Sequence, residues 1–406
     1  MIRVRSKALD KEISIQREIG RFGGDETGPT IIIFAGIHGN EPSGVFAINQ
    51  VLSQLKESNP QFSGQLIALT GNAAALERGE RYIDRDLNRI WHADFIKKIR
   101  NGGFEQDEVL PDINEQIEIY KQIDNIFKTH KPPYYFIDLH TTSADSVPFI
   151  TLNDTLRNRD FALQFPLPSI LGIEEFLSGT MLSFVNELGP IAIGFEAGSH
   201  DVASSIDNHI SCIWLTLAFS GCMKAEQIPD YQKHFDSLHS QSKDSKKVFE
   251  IRFRHERTEE ENFEMLAGFE NFQPVKKGQH LAENDSGKLY AVENGRIFLP
   301  LYQKQGDDGY FIVREIKMFW LKVSAHLRRF NAERLLKVLP GINQDKKDPH
   351  TFLINTKVAH WLFIEIFHLL GFRHSVSTDN HHYFIRRKFD TEEPEIYTDE
   401  FIDSNL

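Results

Sequence analysis

Residues 30–55 read TIIIFAGIHGNEPSGVFAINQVLSQL. The first seven form an apolar, largely β-branched run that ends on a glycine. Such a run fits a buried strand of a parallel sheet. Beyond it Val45, Ile48, Val51, Leu52 and Leu55 recur at helical spacing, which predicts an amphipathic helix. Asn40 is placed to cap that helix, with Glu41 and Pro42 in its first turn. The unit is therefore strand, tight turn, helix.

The same pattern continues outward. QLIALTG (65–71), YYFIDLH (134–140) and IAIGFEA (191–197) read as further buried strands. Ile113, Ile117, Tyr120, Ile123 and Phe127 mark one helix, and Ile206, Ile210, Ile213, Trp214 and Leu217 another. Strands alternating with helices predict an α/β sandwich up to about residue 230. A polar linker follows. Phe249, Ile251 and Phe253 then alternate with Glu250, Arg252 and Arg254, the pattern of a half-exposed strand. Glycine turns at Lys277-Gly278, Ser286-Gly287 and Asn294-Gly295 suggest a small barrel or sandwich. The expected organisation is an α/β domain over 1–240, a small all-β domain over 247–316 and a mainly helical extension over 318–406. The acidic tail, TEEPEIYTDEFIDSNL, reads as loose.

The 406 residues exceed the usual size of one core. Thirty-two phenylalanines imply an aromatic interior. With 46 basic and 58 acidic residues the net charge is −12, a poor basis for nucleic-acid binding. No apolar run approaches the length of a membrane span or a signal sequence, so the expectation is no membrane partner and, by default, a cytoplasmic protein. Cys212 and Cys222 make no disulfide framework and fit a reducing compartment.

Chemistry concentrates at the predicted strand ends. In GIHGNEPSG (36–44), His38 and Glu41 stand three apart where strand becomes helix. That places both at the C-terminal edge of the sheet, where open α/β sheets hold ligands. Imidazole and carboxylate are ordinary zinc ligands. His140 closes another strand and reaches the same edge. Two ligands near in sequence and a third far away is a common catalytic zinc plan. Asp138 points to the same face as His140 and either hydrogen-bonds that imidazole or is a plain buried aspartate. Glu196 ends a further strand; it is either a base beside the metal or a partner of a structural arginine. RYIDRDLNRIW (81–91) offers Arg81, Arg85, Asn88 and Arg89 in one segment. That is either a carboxylate-binding cluster or a solvated charged loop.

These motifs resemble, in order, those of the succinylglutamate desuccinylase/aspartoacylase family: the H-x-x-E turn at 38–41, D-L-N-R at 86–89, D-L-H at 138–140 and E-x-G at 196–198. The resemblance covers about residues 28–200 by motif. It implies a three-layer α/β domain of the zinc-carboxypeptidase kind. It implies one zinc per chain held by His38, Glu41 and His140, with Glu196 as general base and Arg81 polarising the scissile carbonyl. Asn88 and Arg89 match the pair that grips a substrate carboxylate, and Asp86 buttresses their loop. A tyrosine from the second domain would reach the substrate; Tyr310 is the match and Tyr302 its rival. The implied activity is hydrolysis of a small carboxylate-bearing amide such as an N-acyl amino acid, with an acidic substrate preferred.

Two other readings compete. One is a zinc carboxypeptidase for short or modified peptides. The other is a non-enzymatic metal-binding or scaffold protein whose working part is the extension. The extension has no counterpart in the family pattern, and its His360, His368, His374, His381 and His382 fit no clean zinc spacing. The sequence leaves room for a homo-oligomer built through it.

Overall fold

A computed structural model describes residues 1–24, 27–104, 109–258, 260–338, 340–345, 348, 350–354, 363–376 and 382–405. Its centre is the strand Thr30–Ala35, every residue of which is buried. It pairs in parallel with Gln65–Thr70 on one side and Tyr134–Thr142 on the other. Tyr134–Thr142 pairs in parallel with Ile191–Ser199. The four strands expected from the sequence are thus direct neighbours, and their C-terminal ends share one edge.

Each strand face is apolar, as a strand covered on both sides requires. Ile31, Ile33 and Ala35 pack under the helices Ser43–Ser58 and Ala203–Phe219. Ile32 and Phe34 pack under Pro111–Thr129 and Met181–Glu187 on the other face. The result is three layers, helix on sheet on helix. Gly44 permits the closest approach: a Cβ there would lie 3.0 Å from the Cβ atoms of Ala35 and Leu139. The helix starts later than expected. Its first residue is Ser43 with Pro42 at the cap position, and no side chain caps it. Asn40 instead gives its amide to Gln303, 3.0 Å away.

The sheet does not stop at the α/β layers. It continues through Phe149–Leu152 and Ser169–Leu171 into Val248–Glu256, Asp308–Ile316, Gly295–Phe298 and Pro274–Val275, eleven strands in all. The all-β stretch is therefore not a detached barrel or sandwich. Its longest strands prolong the main sheet, and a separate three-stranded sheet of Glu264–Met265, His280–Asn284 and Gly287–Tyr290 covers them. Alternation divides the strand Asp308–Ile316 between two cores. Phe311 and Val313 join Phe149, Phe249, Phe272 and Phe298, while Tyr310 and Ile312 face Met265 and Leu281. Five buried phenylalanines fill the first of these cores, in line with the aromatic interior that composition implies.

The extension carries the helices Met318–Arg329, Phe363–Leu369 and Asp399–Asn405. It also has a four-stranded antiparallel sheet that the helical reading does not anticipate, ordered Ile342–Gln344, Thr351–Ile354, His382–Arg386, Phe372–Val376. Phe352, Phe367, Phe372 and Phe384 form its core. The short strands sit in a leucine- and histidine-rich stretch whose helical spacing masks them. Leu339, Trp361, Leu362, His360 and His381 lie outside the described residues. The acidic tail is not loose. Tyr397 is buried and stacks on Phe127, with ring centroids 4.6 Å apart, and Glu393 accepts the Tyr134 backbone N–H at 3.0 Å.

The extension is fastened by buried charge. Arg328 donates to Asp154 Oδ2 at 2.8 Å, Arg159 grips the same carboxylate, and Arg387 lies 3.8 Å from it. Burial alone would raise the Asp154 carboxyl; the three guanidiniums instead hold it far below the usual carboxylate range. A depressed folded-state pKa contributes stability that is complete above the unfolded value and lost as pH falls below it. Asp154→Asn should therefore destabilise the protein by about 3–5 kcal/mol at neutral pH, because it takes from the buried Arg159 its carboxylate partner and from Arg328 one of two. Denaturant midpoints measured from pH 7 to pH 3 should fall less steeply for this variant than for the parent; parallel curves would contradict this account.

Candidate active site

The turn after Thr30–Ala35 builds the first part of the site. Gly36 takes φ +74°, a conformation that costs glycine little. Gly39 lies against the backbone of Ala75, where a Cβ would come within 2.1 Å of a carbonyl carbon. These two glycines fold His38 and Glu41 back over the sheet edge. His140 arrives from the neighbouring strand, and its register partner across the ladder is Glu196.

The ligand atoms of His38, Glu41 and His140 lie within 4.8 Å of one another, and all three residues are buried. His38 Nδ1 is 2.9 Å from Glu41 Oε1, and His140 Nδ1 is 3.1 Å from Glu41 Oε2. Each imidazole turns its other nitrogen to a carboxylate: His38 Nε2 to Asp86 Oδ1 at 3.2 Å, His140 Nε2 to Asp138 Oδ2 at 2.8 Å. Such carboxylate partners orient metal-binding histidines. If each Nε2–H donates outward, both Nδ1 lone pairs face the Glu41 carboxylate, an arrangement that needs a cation or extra protons at its centre. Two nitrogens and a carboxylate suit zinc. The residues present thus fit the metal that the sequence implies.

The charges respond accordingly. Burial would raise the Glu41 carboxyl, but the two histidines hold it well below its ordinary value. Burial would lower His140, but Asp138 and Glu41 hold it well above the usual imidazole range. Glu196 differs from both. Burial, with Glu41 and Asp138 nearby, pushes its carboxyl up to about 8. Its Oε2 is buried and makes no hydrogen bond, so the structural-arginine alternative does not describe it. A cation among His38, Glu41 and His140 acts in the opposite direction on this group.

The arginine loop is tied to this cluster. Gly39 N–H donates to the Arg81 carbonyl at 3.1 Å. Arg81 grips Asp86 Oδ2 through Nε and a terminal nitrogen at 3.0 and 2.9 Å. A second terminal nitrogen lies 3.8 Å from Glu41 Oε1. Asp86 therefore joins His38 to Arg81, beyond the buttress expected of it. The loop itself hangs on Asp112, a fully buried residue that the sequence reading passes over. Asp112 Oδ2 accepts the backbone N–H groups of Ile83, Asp84 and Arg85 at 3.0, 2.6 and 2.8 Å. In sequence it looks like an ordinary acid in a helix first turn.

The remaining expected residues are placed unevenly. Asn88 and Arg89 line the cavity with His38, Glu41, Arg81, His140 and Glu196. Asn88 Oδ1 accepts the Met181 N–H at 2.8 Å. Arg89 is engaged by Asp308 at 2.5 Å and by the Asn88 carbonyl at 2.8 Å. Tyr310 does not reach the cavity. It is 1% exposed, and its ring stacks on His255 with centroids 5.4 Å apart. Strand alternation turns it away from the site while Asp308, two residues earlier and past a bulge, faces in. Tyr302 is also outside, its hydroxyl donating to the Leu266 carbonyl at 2.8 Å. The all-β stretch instead supplies Leu299, Pro300, Leu301, Gln303 and Asp308. His200, two residues beyond the E-x-G glycine, also lines the cavity and lies 3.2 Å from Gln303 Oε1.

One wall belongs to the short helix Ile173–Glu175 and the residues after it. Ile173 and Leu177 face the cavity. On the opposite side Glu174 and Glu175 receive Arg387 at 2.7 and 2.6 Å, and His368 lies 3.0 Å from Glu175. The extension therefore braces a wall of the site from behind.

Residues 27–210 match the model of the succinylglutamate desuccinylase/aspartoacylase catalytic domain. The chain is 32% identical over 172 residues to a probable aspartoacylase of Prochlorococcus marinus, covering 42% of this chain and 53% of that one. It is 32% identical over 119 residues to the succinylglutamate desuccinylase of Yersinia enterocolitica, covering 29% and 33%. The chain thus spans about half the length, or less, of the curated relatives it matches. In fold it resembles the crystal structure of succinylglutamate desuccinylase from Vibrio cholerae, with a TM-score of 0.53 at 15% identity over 72% of this chain and 83% of that one. A family structure from Rhodobacter sphaeroides gives 0.51 at 17% identity over 71% and 86%. Motif order, cavity and match agree: residues 27–210 are similar to the catalytic domain of the succinylglutamate desuccinylase/aspartoacylase family.

Proposed function

We propose that the chain is a zinc-dependent amidohydrolase that cleaves N-acyl amino acids or similar carboxylate-bearing amides. The observation that carries this reading is the buried His38, Glu41 and His140 cluster opening onto the same cavity as Glu196 and Arg81. The names of the relatives, aspartoacylase and succinylglutamate desuccinylase, support the class of substrate.

His38, Glu41 and His140 would hold the metal, which when bound acidifies water and polarises a carbonyl oxygen. The rest of the chemistry belongs to the side chains. Glu196 Oε2, buried and unpartnered, takes a proton from the attacking water. Water oxygen adds to the amide carbon, and the carbonyl oxygen gains charge. Arg81, fixed by Asp86 and bent toward the cluster, stabilises that charge. Glu196 returns the proton to the amide nitrogen as the carbon–nitrogen bond breaks, leaving a carboxylic acid and a free amine. Arg89 and Asn88 steady the substrate's carboxylate. Leu299, Pro300, Leu301 and Gln303 narrow the cavity, which favours a small amide over an extended peptide.

Chelation should abolish hydrolysis and zinc should restore it, with elemental analysis finding one zinc per chain; chelator-resistant turnover would refute the zinc reading. Glu196→Gln should retain zinc and lose turnover by about 10²-fold or more, the usual weight of a general base. Arg81→Leu should likewise retain zinc and lose about 10²–10³-fold in kcat. Asp112→Ala should destabilise the fold by about 1–3 kcal/mol, as unpaired buried donors do. It should also speed amide exchange at residues 83–85 and lower kcat without loss of metal. Unchanged exchange there would remove Asp112 as the anchor of the loop.

A further inference from the structure

Within the proposed hydrolase reading, on which it rests, the cavity carries a further inference about substrate charge. Both cations that line it are already partnered. Arg81 gives two nitrogens to Asp86. Arg89 gives one terminal nitrogen to Asp308 and the other to a backbone carbonyl. Asp308 is held in turn by Arg254, whose Nε lies 2.6 Å from Oδ1. Arg254 also lies 3.4 Å from the exposed Glu256, so the two guanidiniums face two carboxylates and leave little positive charge in surplus. The Arg89 Nε is buried and makes no hydrogen bond among the described residues, so one donor of this cavity-lining side chain is unused. Among the described residues, no other lysine or arginine lines the cavity.

The rest of the wall mixes neutral polar side chains, among them Thr141, Thr142, Ser143, Thr151 and Thr180, with an apolar set. Ile173, Leu177, Leu182, Leu299, Pro300 and Leu301 face the space between the metal cluster and the mouth. Glu41, Asp138, Glu196 and Asp308 add negative charge to the lining. A second carboxylate on the substrate would find leucine, a like charge or a neutral hydroxyl or amide, and no unpaired lysine or arginine among the described residues. Buried there, it has no compensating charge. A hydrocarbon group in the same place removes apolar surface from water on both sides.

We infer that the substrate is an N-acyl amino acid with one carboxylate and an apolar acyl or side-chain group, and that Asp308 enforces this by occupying Arg89. A dicarboxylic amide meets Asp308 where a second anion would have to sit. This narrows the acidic preference expected from the arginines alone to a single negative charge.

The test compares four amides on the zinc-loaded protein. N-Acetyl-L-leucine and N-hexanoylglycine carry one carboxylate and an apolar group; N-acetyl-L-aspartate and N-succinyl-L-glutamate carry more charge. At least one of the first pair should exceed both of the second in kcat/KM by tenfold or more. Calorimetric binding of the same four to Glu196→Gln should rank them in the same order. A dicarboxylate hydrolysed or bound as well as the apolar amides overturns the inference and leaves the hydrolase reading standing. If none is hydrolysed, the hydrolase reading fails, and binding still decides: tighter binding of the apolar monocarboxylates supports the inference, while tighter binding of a dicarboxylate, or of none, overturns it. Asp308→Asn should move the aspartate-to-leucine ratio toward N-acetyl-L-aspartate by fivefold or more. An unchanged ratio in folded protein removes Asp308 from the account.

Discussion

Glu41 is a buried carboxylate with an imidazole on each side. The polar groups next to it are placed by what that carboxylate needs. Its two oxygens face His38 and His140, and one also accepts the Thr141 backbone N–H at 2.8 Å. The outer nitrogens of the histidines then require acceptors, which Asp86 and Asp138 supply. Asp86 in turn holds Arg81. A buried charge is tolerable only when paired and hydrogen-bonded, so each pairing at the centre creates the demand for the next one out. The chain of pairing ends where groups reach solvent or backbone.

That chain needs a rigid platform, and the parallel strands provide it. Side chains at the ends of adjacent parallel strands are neighbours by construction. His140 and Glu196 stand opposite each other in the ladder, and His38 and Glu41 follow the next strand along. Both faces of the strands are covered by helices, so the edge is the open place for a polar site. The helix Pro111–Thr129 adds a second support by catching three consecutive backbone N–H groups on Asp112. This converts a loop of arginines into a fixed element. Without it, long cationic side chains would lose entropy on every encounter with a ligand.

The remaining walls come from parts of the chain far from the catalytic motifs. The all-β stretch reaches the cavity through the loop before Asp308–Ile316, not through a tyrosine on that strand. None of the described residues of the extension lines the cavity. It holds Glu174 and Glu175 with Arg387 and His368, and so fixes Ile173 and Leu177 from the back. Two long additions to the α/β layers thus meet around one short segment, and the apolar part of the cavity wall at Ile173, Leu177 and Leu299 arises there.

By itself the sequence determined the layered α/β class, the four central strands and the grouping of His38, Glu41, His140, Glu196 and the Arg81–Arg89 segment. These features are written locally: runs of apolar residues set the strands, glycines set the turns, and a strand's end sets where its last side chain goes. The tertiary structure alone decided that Tyr310 turns inward, that Asp308 occupies Arg89, that Asp112 anchors the loop and that a four-stranded sheet lies within the extension. It also decided that the acidic tail packs on Phe127. Each of these depends on partners between about 30 and 270 residues away, or on strand pairing with no repeating pattern to announce it. Local periodicity reports which face of an element is apolar. It carries no information about which distant carboxylate a buried arginine will find, because that choice is made by desolvation and proximity once the elements have packed.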